Sequence, residues 1–233
     1  ALNVFSSNMI KAINPVIVKA EGEGKRSNML DLSLAGCRYS FFLYTLFAIP
    51  CLLEADYVLK LWLKNVPDWA VLFCRLQILR TMLEQLTNAL GMALMAEGHI
   101  MKINIVNLVL SILTFISLYL LYSFGFLPYW HFIISIIFMV IIESCFKIYY
   151  CSRYCHLSIK YFIRNVFVRC VLCAVIPFLV GLYFVSEFEG QGFLRLCLTS
   201  VICTTILIMV LFSIGMNKQE KNLIVRNMFT NMH

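Results

Sequence analysis

Arg80 and Glu84 stand four residues apart in a run, residues 71–98, built otherwise mostly of Leu, Met, Phe and Ala. At 3.6 residues per turn, Gln77, Arg80, Glu84, Asn88 and Gly91 fall on one stripe of a helix. Burying an ionised group at membrane depth costs a few kcal/mol or more, so such a stripe faces a protein interior or a water-filled cavity. Two further stripes share this character. Asn3, Ser7, Lys11 and Asn14 recur at spacings of four, four and three. Asn104, Asn107, Ser111 and Thr114 share a face farther on. Together the three stripes suit the walls of a hydrated cavity, and the excess of Lys11 and Arg80 over Glu84 suits an anionic ligand. The competing reading is interhelical glue, in which the same polar groups hydrogen-bond across helices for a modest gain. Arg80 and Glu84, one turn apart, are placed to pair, which lowers the burial cost without fully repaying it. Arg75 lies on another face and suits contact with lipid phosphate.

The residue types of soluble catalysis are not arranged for it. There is no Gly-rich phosphate loop, no H-E-x-x-H and no G-x-S-x-G. His99 and His131 stand singly at the ends of apolar runs, without the positioned partner a general base needs. Ten cysteines invite a metal or redox reading. Cys170 and Cys173 form a C-x-x-C, but inside an apolar stretch, and Cys151, Cys155 and His156 lie in a basic segment. A zinc site takes about four ligands at set spacings, and no second pair completes either cluster. The chain reads as a non-enzyme without a cofactor, its thiols serving packing.

The elements that position these stripes must be membrane helices. Of 233 residues, 61% are hydrophobic and 13% charged, and the mean hydropathy is +0.86. Soluble domains carry about 25% charged residues. No Asp, Glu, Lys or Arg occurs in the 40 residues between Lys102 and Glu143. As helix that stretch is about 60 Å long, enough for two crossings broken at Gly125, Leu127 and Pro128. A large soluble core gives no account of such a gap.

Seven spans are expected. The first is residues 1–20, with Pro15 kinking it near Lys11, followed by a loop over residues 21–31. The second is 37–53, closed by Glu54 and Asp56. Residues 57–68 are too short to span and, with Lys60, Trp62 and Lys64, suit the interface. The third is 71–98, stopped at Gly98, and the other helices are expected to pack around it. The fourth is 103–124. The fifth, 128–149, closes with Glu143 and Lys147, an i,i+4 pair suited to an inner-surface anchor. A basic loop over 153–164 leads to the sixth, 166–186, with Arg169 near its start and Pro177 inside. A short acidic turn, residues 187–191, precedes the seventh, 194–215, and a tail carries Lys218, Lys221 and Arg226.

The cations agree with this alternation. Lys11, Lys19, Lys25, Arg26, Arg38, Lys102, Lys147, Arg153, Lys160, Arg164, Arg169, Lys218, Lys221 and Arg226 fall at or toward one side, against Lys60, Lys64 and Arg195 on the other. The positive-inside rule makes the first side cytoplasmic, so Ala1 starts outside and His233 ends inside. The net charge of +7 then reports topology and contact with anionic lipids, not nucleic-acid binding. The first residue is Ala, with no charged n-region and short apolar core before the first span. The chain therefore reads as beginning part-way through a longer protein.

Several stretches carry a family resemblance. Asn14-Pro15-x-Ile17-x-Lys19 ends the first helix, and Leu59-Lys60-Leu61-Trp62-Leu63 with Val66-Pro67 follows the second. Arg75-Leu76 and then Gly91-x-Ala93-x-x-Ala96-x-Gly98-x-Ile100 mark the third. In order and spacing this resembles the later part of the polysaccharide and O-antigen flippases of the multidrug/oligosaccharidyl-lipid/polysaccharide exporter superfamily. The motifs cover residues 1–150; beyond them only hydropathy and topology match.

The resemblance implies an all-α integral membrane protein of two six-helix lobes around a central cavity, with two added C-terminal helices. Residues 1–150 would be five helices of the second lobe. Residues 151–233 would be a basic cytoplasmic loop, the two extra helices and a short tail. The implied activity is movement of a lipid-linked oligosaccharide, a polyprenyl pyrophosphate glycan, across the bacterial cytoplasmic membrane by alternating access. Lys11 and Arg80 would compensate the pyrophosphate. Glu84 would be a counter-ion or a protonation site for a coupling ion, and Asn14, Asn88 and Asn107 would complete the pathway. Arg80 and Glu84 lie outside the motifs that carry the resemblance. Three alternatives stand beside it: a cation-coupled multidrug exporter of the same superfamily, which calls for acidic cavity residues; a membrane-embedded polysaccharide polymerase or acyltransferase, which calls for a large outer loop or a buried, partnered histidine; and a truncated gene product without activity of its own.

Overall fold

The computed structural model describes residues 3–216 apart from 64, 189 and 191. Expectations placed on Ala1, on Lys64, on Gln191 and on the tail with Lys218, Lys221 and Arg226 lie outside the described residues. Among the described residues every regular element is helical: α1 (Asn3–Gly22), α2 (Arg26–Leu53), α3 (Ala55–Trp62), α4 (Ala70–Ala96), α5 (Ile100–Ser123), α6 (Trp130–Tyr154), α7 (Ile159–Glu187) and α8 (Phe193–Gly215). Five of them, α2 and α5 to α8, are long and apolar enough to cross a membrane. The remaining two long helices, α1 and α4, are not among the five, and α4 carries Arg75, Arg80 and Glu84.

Two expected loops are largely helix. Residues 21–31 break only at 23–25, and residues 153–164 only at 155–158. Straight-chain Glu, Lys and Arg are good helix formers, so a run of charge does not by itself make a loop. What breaks the first chain segment is Gly24, at φ +72°. The Lys25 N–H donates to the Ala20 carbonyl at 2.9 Å, closing a left-handed turn that glycine takes without strain. Gly98 ends α4 as expected, at φ +98°, with the His99 N–H on the Leu94 carbonyl at 3.0 Å. Pro15 lies inside an uninterrupted α1.

α2 and α4 together form the hub of the fold: α1, α2, α3, α5 and α6 pack on α4, as expected for residues 71–98, whereas α7 and α8 pack chiefly on α2. About two thirds of the apolar window of α2 is buried, against about a tenth for α5. It touches α1, α3, α4, α7 and α8. Small residues allow this: a Cβ on Gly36 would stand 3.0 Å from the Ala89 Cβ, so α2 and α4 approach closely there. The buried hydroxyls of Ser33, Ser40 and Thr45 bond to carbonyls of α2 itself, leaving its surface dry for Met29, Leu34, Cys37 and Phe41.

The helix ends gather in two groups. At one, Arg26 of α2 holds Glu21 of α1 at 2.6 Å, Glu97 after α4 at 3.5 Å and the Tyr154 carbonyl of α6 at 3.1 Å. His99 pairs with Glu97, and Lys102 of α5 donates to the Tyr154 hydroxyl at 2.7 Å. At the opposite end, Glu54 meets Arg195 of α8, Asp56 meets Arg75, and Trp69 meets Tyr129. Not every cation counted toward the cytoplasmic side sits at a helix end. Arg38 is 3% exposed within the core, about 18 Å along α2 at 1.5 Å per residue. Lys147 lies about 10 Å inside α6 by the same measure.

Candidate functional site

The site forms where α4 passes α6. Within α6, Ile137–Ile142 is a π-helical segment, directly before Glu143. A π turn widens the helix locally and frequently marks a functional position. Beside it lies a cavity of about 190 Å³. Glu84, Thr87 and Asn88 of α4 line one wall; Glu143, Ser144 and Lys147 of α6 line the other, with Met139 and Val140 as the apolar part. Glu84 is about 18 Å from the end of α4, and Glu143 about 16 Å from the end of α6, so the charges lie deep within both helices.

Each charge has a partner. Arg80 Nη2 stands 3.0 Å from Glu84 Oε1, and Lys147 Nζ stands 2.7 Å from Glu143 Oε1. These side chains are only 15–30% exposed. The Thr87 and Ser144 hydroxyls lie 2.8 Å apart and bridge the two helices. Gly91 leaves room for the Lys147 stem, whose Cε would lie 3.8 Å from an added Cβ. Asn107 of α5 reaches the far side of the Glu143–Lys147 pair, and its Oδ1 is buried without a hydrogen-bond partner. Arg80 Nε is likewise buried without one.

The six candidate pathway residues therefore separate. Glu84 and Asn88 share the cavity, Arg80 is tied to it through Glu84, and Asn107 adjoins it. Lys11 is exposed on α1 and Asn14 half-buried there. Neither lines a described cavity. The three polar stripes do not converge. From the α1 stripe, Asn3 Oδ1 accepts from Gln85 Nε2 of α4 at 3.1 Å, which is glue between helices. On α5, Ser111 and Thr114 bond to the carbonyls of Asn107 and Leu110 in their own helix. Glu143 and Lys147, read from sequence as a surface anchor, are instead walls of the cavity. Their i,i+4 spacing on an apolar helix repeats that of Arg80 and Glu84, and that repetition was the available signal. Thr87 and Ser144 carried none.

Two other regions bear charge or space. Arg195 Nη2 donates to Glu54 Oε2 at 2.9 Å, with Nε 2.8 Å from Oε1, and Glu54 is 1% exposed. A wholly apolar groove of about 280 Å³ runs between α2, α4 and α7, with Arg75 at its edge. The ten cysteines are free thiols; Cys37, Cys151, Cys155, Cys170 and Cys173 sit in the main core. Among the described residues no group of three or more metal-binding side chains occurs.

Comparison of the chain with protein-family models, with characterised proteins and with solved structures finds no match. Fold and site alone define the class: among the described residues, a helical protein with five helices long and apolar enough to cross a membrane and a charge-lined cavity deep between two of its helices.

Proposed function

We propose that this chain is part of a transporter that moves a lipid-linked oligosaccharide across the bacterial cytoplasmic membrane. The observation that carries the proposal is the deep cavity between α4 and α6, held by four charged side chains in helices that are otherwise apolar. Such groups at membrane depth mark substrate or ion pathways by default. In this reading α1 and α4 also cross the bilayer, giving seven spans, with the Arg26 end and the tail cytoplasmic. The exposed face of α1 with Lys11 and Asn14 faces a second lobe. Lys11, for which no ion pair is described, meets the pyrophosphate there, while Arg80 stays paired with Glu84. The glycan enters the polar interior while the polyprenyl tail stays in the bilayer.

Deleting the gene from its host tests this reading. Surface glycan should be lost and the lipid-linked precursor should accumulate on the inner leaflet. Unchanged surface glycan overturns it. A second reading, a cation-coupled exporter, is favoured by one observation: Glu84 and Glu143 bring two carboxylates to one cavity. It predicts dye efflux driven by a sodium or proton gradient, with surface glycan intact in the deletion strain.

A further inference from the structure

We infer that the α4–α6 cavity is a binding site for a single uncharged sugar ring and not for the pyrophosphate; the inference rests on the glycan-transport reading and names the part of the substrate this site takes. The charge balance is the first argument. Glu84, Glu143 and Lys147 line the cavity, Arg80 stands behind Glu84, and each cation already stands within 3.0 Å of a carboxylate. A pyrophosphate entering here would have to break both pairs and would still face Glu84 and Glu143. Leaving a buried charge without its partner is the costliest rearrangement such a pair can suffer. An uncharged polyol requires neither.

The space and the hydrogen-bonding groups point the same way. A volume of about 190 Å³ equals about six waters at ~30 Å³ each, which is room for one pyranose ring. An ionised carboxylate has about four acceptor positions, so Glu84 and Glu143 keep free lone pairs beyond their ion pairs. Those accept hydroxyl protons from neighbouring ring positions. Asn88, for which no hydrogen bond is described, offers both a donor and an acceptor. Thr87 and Ser144 already bond to each other and hold the two walls at a fixed spacing. Met139 and Val140 give the C–H face of a ring an apolar seat. The cavity thus offers acceptors, an amide and a small apolar floor, and leaves no cation free for an anion, since Lys147 and the Arg80 behind the wall are both paired.

Saturation-transfer NMR on the purified intact transporter in lipid nanodiscs tests the assignment. The probes are the methyl glycosides of glucose, galactose, mannose and N-acetylglucosamine, with inorganic pyrophosphate as competitor. At least one glycoside should show transfer to its ring protons. Asn88→Ala and Glu143→Gln should each weaken that binding by about tenfold, the loss expected for a hydrogen bond to a charged or buried group. Thr205→Ala, on the exposed side of α8, should leave it unchanged. The site assignment is overturned if pyrophosphate competes with the glycoside, if no glycoside binds, or if both cavity variants bind as well as the native protein. The gene-deletion result stays separate. Glycoside binding at the cavity with normal surface glycan would sink the transport reading and leave the sugar site standing. Lost surface glycan with no glycoside binding would do the reverse.

Discussion

Glu54–Arg195 and the two pairs at the α4–α6 cavity use the same ions to opposite ends. The first pair is sealed: Glu54 is 1% exposed and joins the α2–α3 corner to the start of α8, 141 residues on. No described cavity adjoins it, and the Arg195 Nη1 donates to the Phe188 carbonyl at 3.4 Å, tying down the preceding turn. At the cavity each pair lies within one helix, four residues apart, beside about 190 Å³ of space. A pair across elements fixes how those elements meet. A pair within one helix fixes little of the fold and leaves its charges available to a ligand. Burial of charge is therefore not one phenomenon here: one instance is a lock and the other is a lined site.

The largest expected effect breaks the lock. Glu54→Ala leaves Arg195 buried and alone and should destabilise the fold by about 3–5 kcal/mol, read as a lowered midpoint of thermal unfolding in detergent. The double variant Glu54→Leu with Arg195→Met should recover most of that loss, because an apolar pair of similar volume removes both desolvation costs. Failure to recover would mean that the pair does more than hold the corner. Next comes Gly181, in α7 against the same region. A Cβ there would stand 2.5 Å from Leu53 Cδ1 and 2.6 Å from Cys203 Sγ. Gly181→Leu should cost about 1–3 kcal/mol from overpacking, seen in the same unfolding assay, whereas Gly22→Leu, with open space around it, should not.

The cavity should respond in the other sense. Glu143→Gln keeps an amide oxygen within reach of Lys147 and should cost less stability than Glu54→Ala, while abolishing glycan export in cells that hold normal protein levels. A stability loss as large as that of Glu54→Ala would erase the distinction between lock and site. The smallest effect belongs to Arg75 and Asp56, 2.7 Å apart with side chains about two-fifths exposed. Arg75→Ala should shift stability by under about 1 kcal/mol, and added salt should shrink even that.

Composition and patterning alone made legible a helical chain with helices fit to cross a membrane, because 40 consecutive residues carry no Asp, Glu, Lys or Arg. The stop at Gly98 and the pairing of Arg80 with Glu84 were also legible, since both follow from neighbours within one or two turns. Charged stretches misled about loops at residues 21–31 and 153–164, where helix propensity and packing prevailed over polarity. Helical spacing shows which residues share a face but not which face meets which. So the convergence of three polar stripes was not decided by sequence. Only the tertiary structure set α2 beside α4 at the hub, brought Glu143 and Lys147 of α6 against Glu84 and Asn88 of α4, left Lys11 on the surface, and joined Glu54 to Arg195. The physical reason is range: a helix dictates its own turns, whereas contacts across many tens of residues depend on how close each pair of faces can approach, and here small residues such as Gly36, Ala89 and Gly181 decide that.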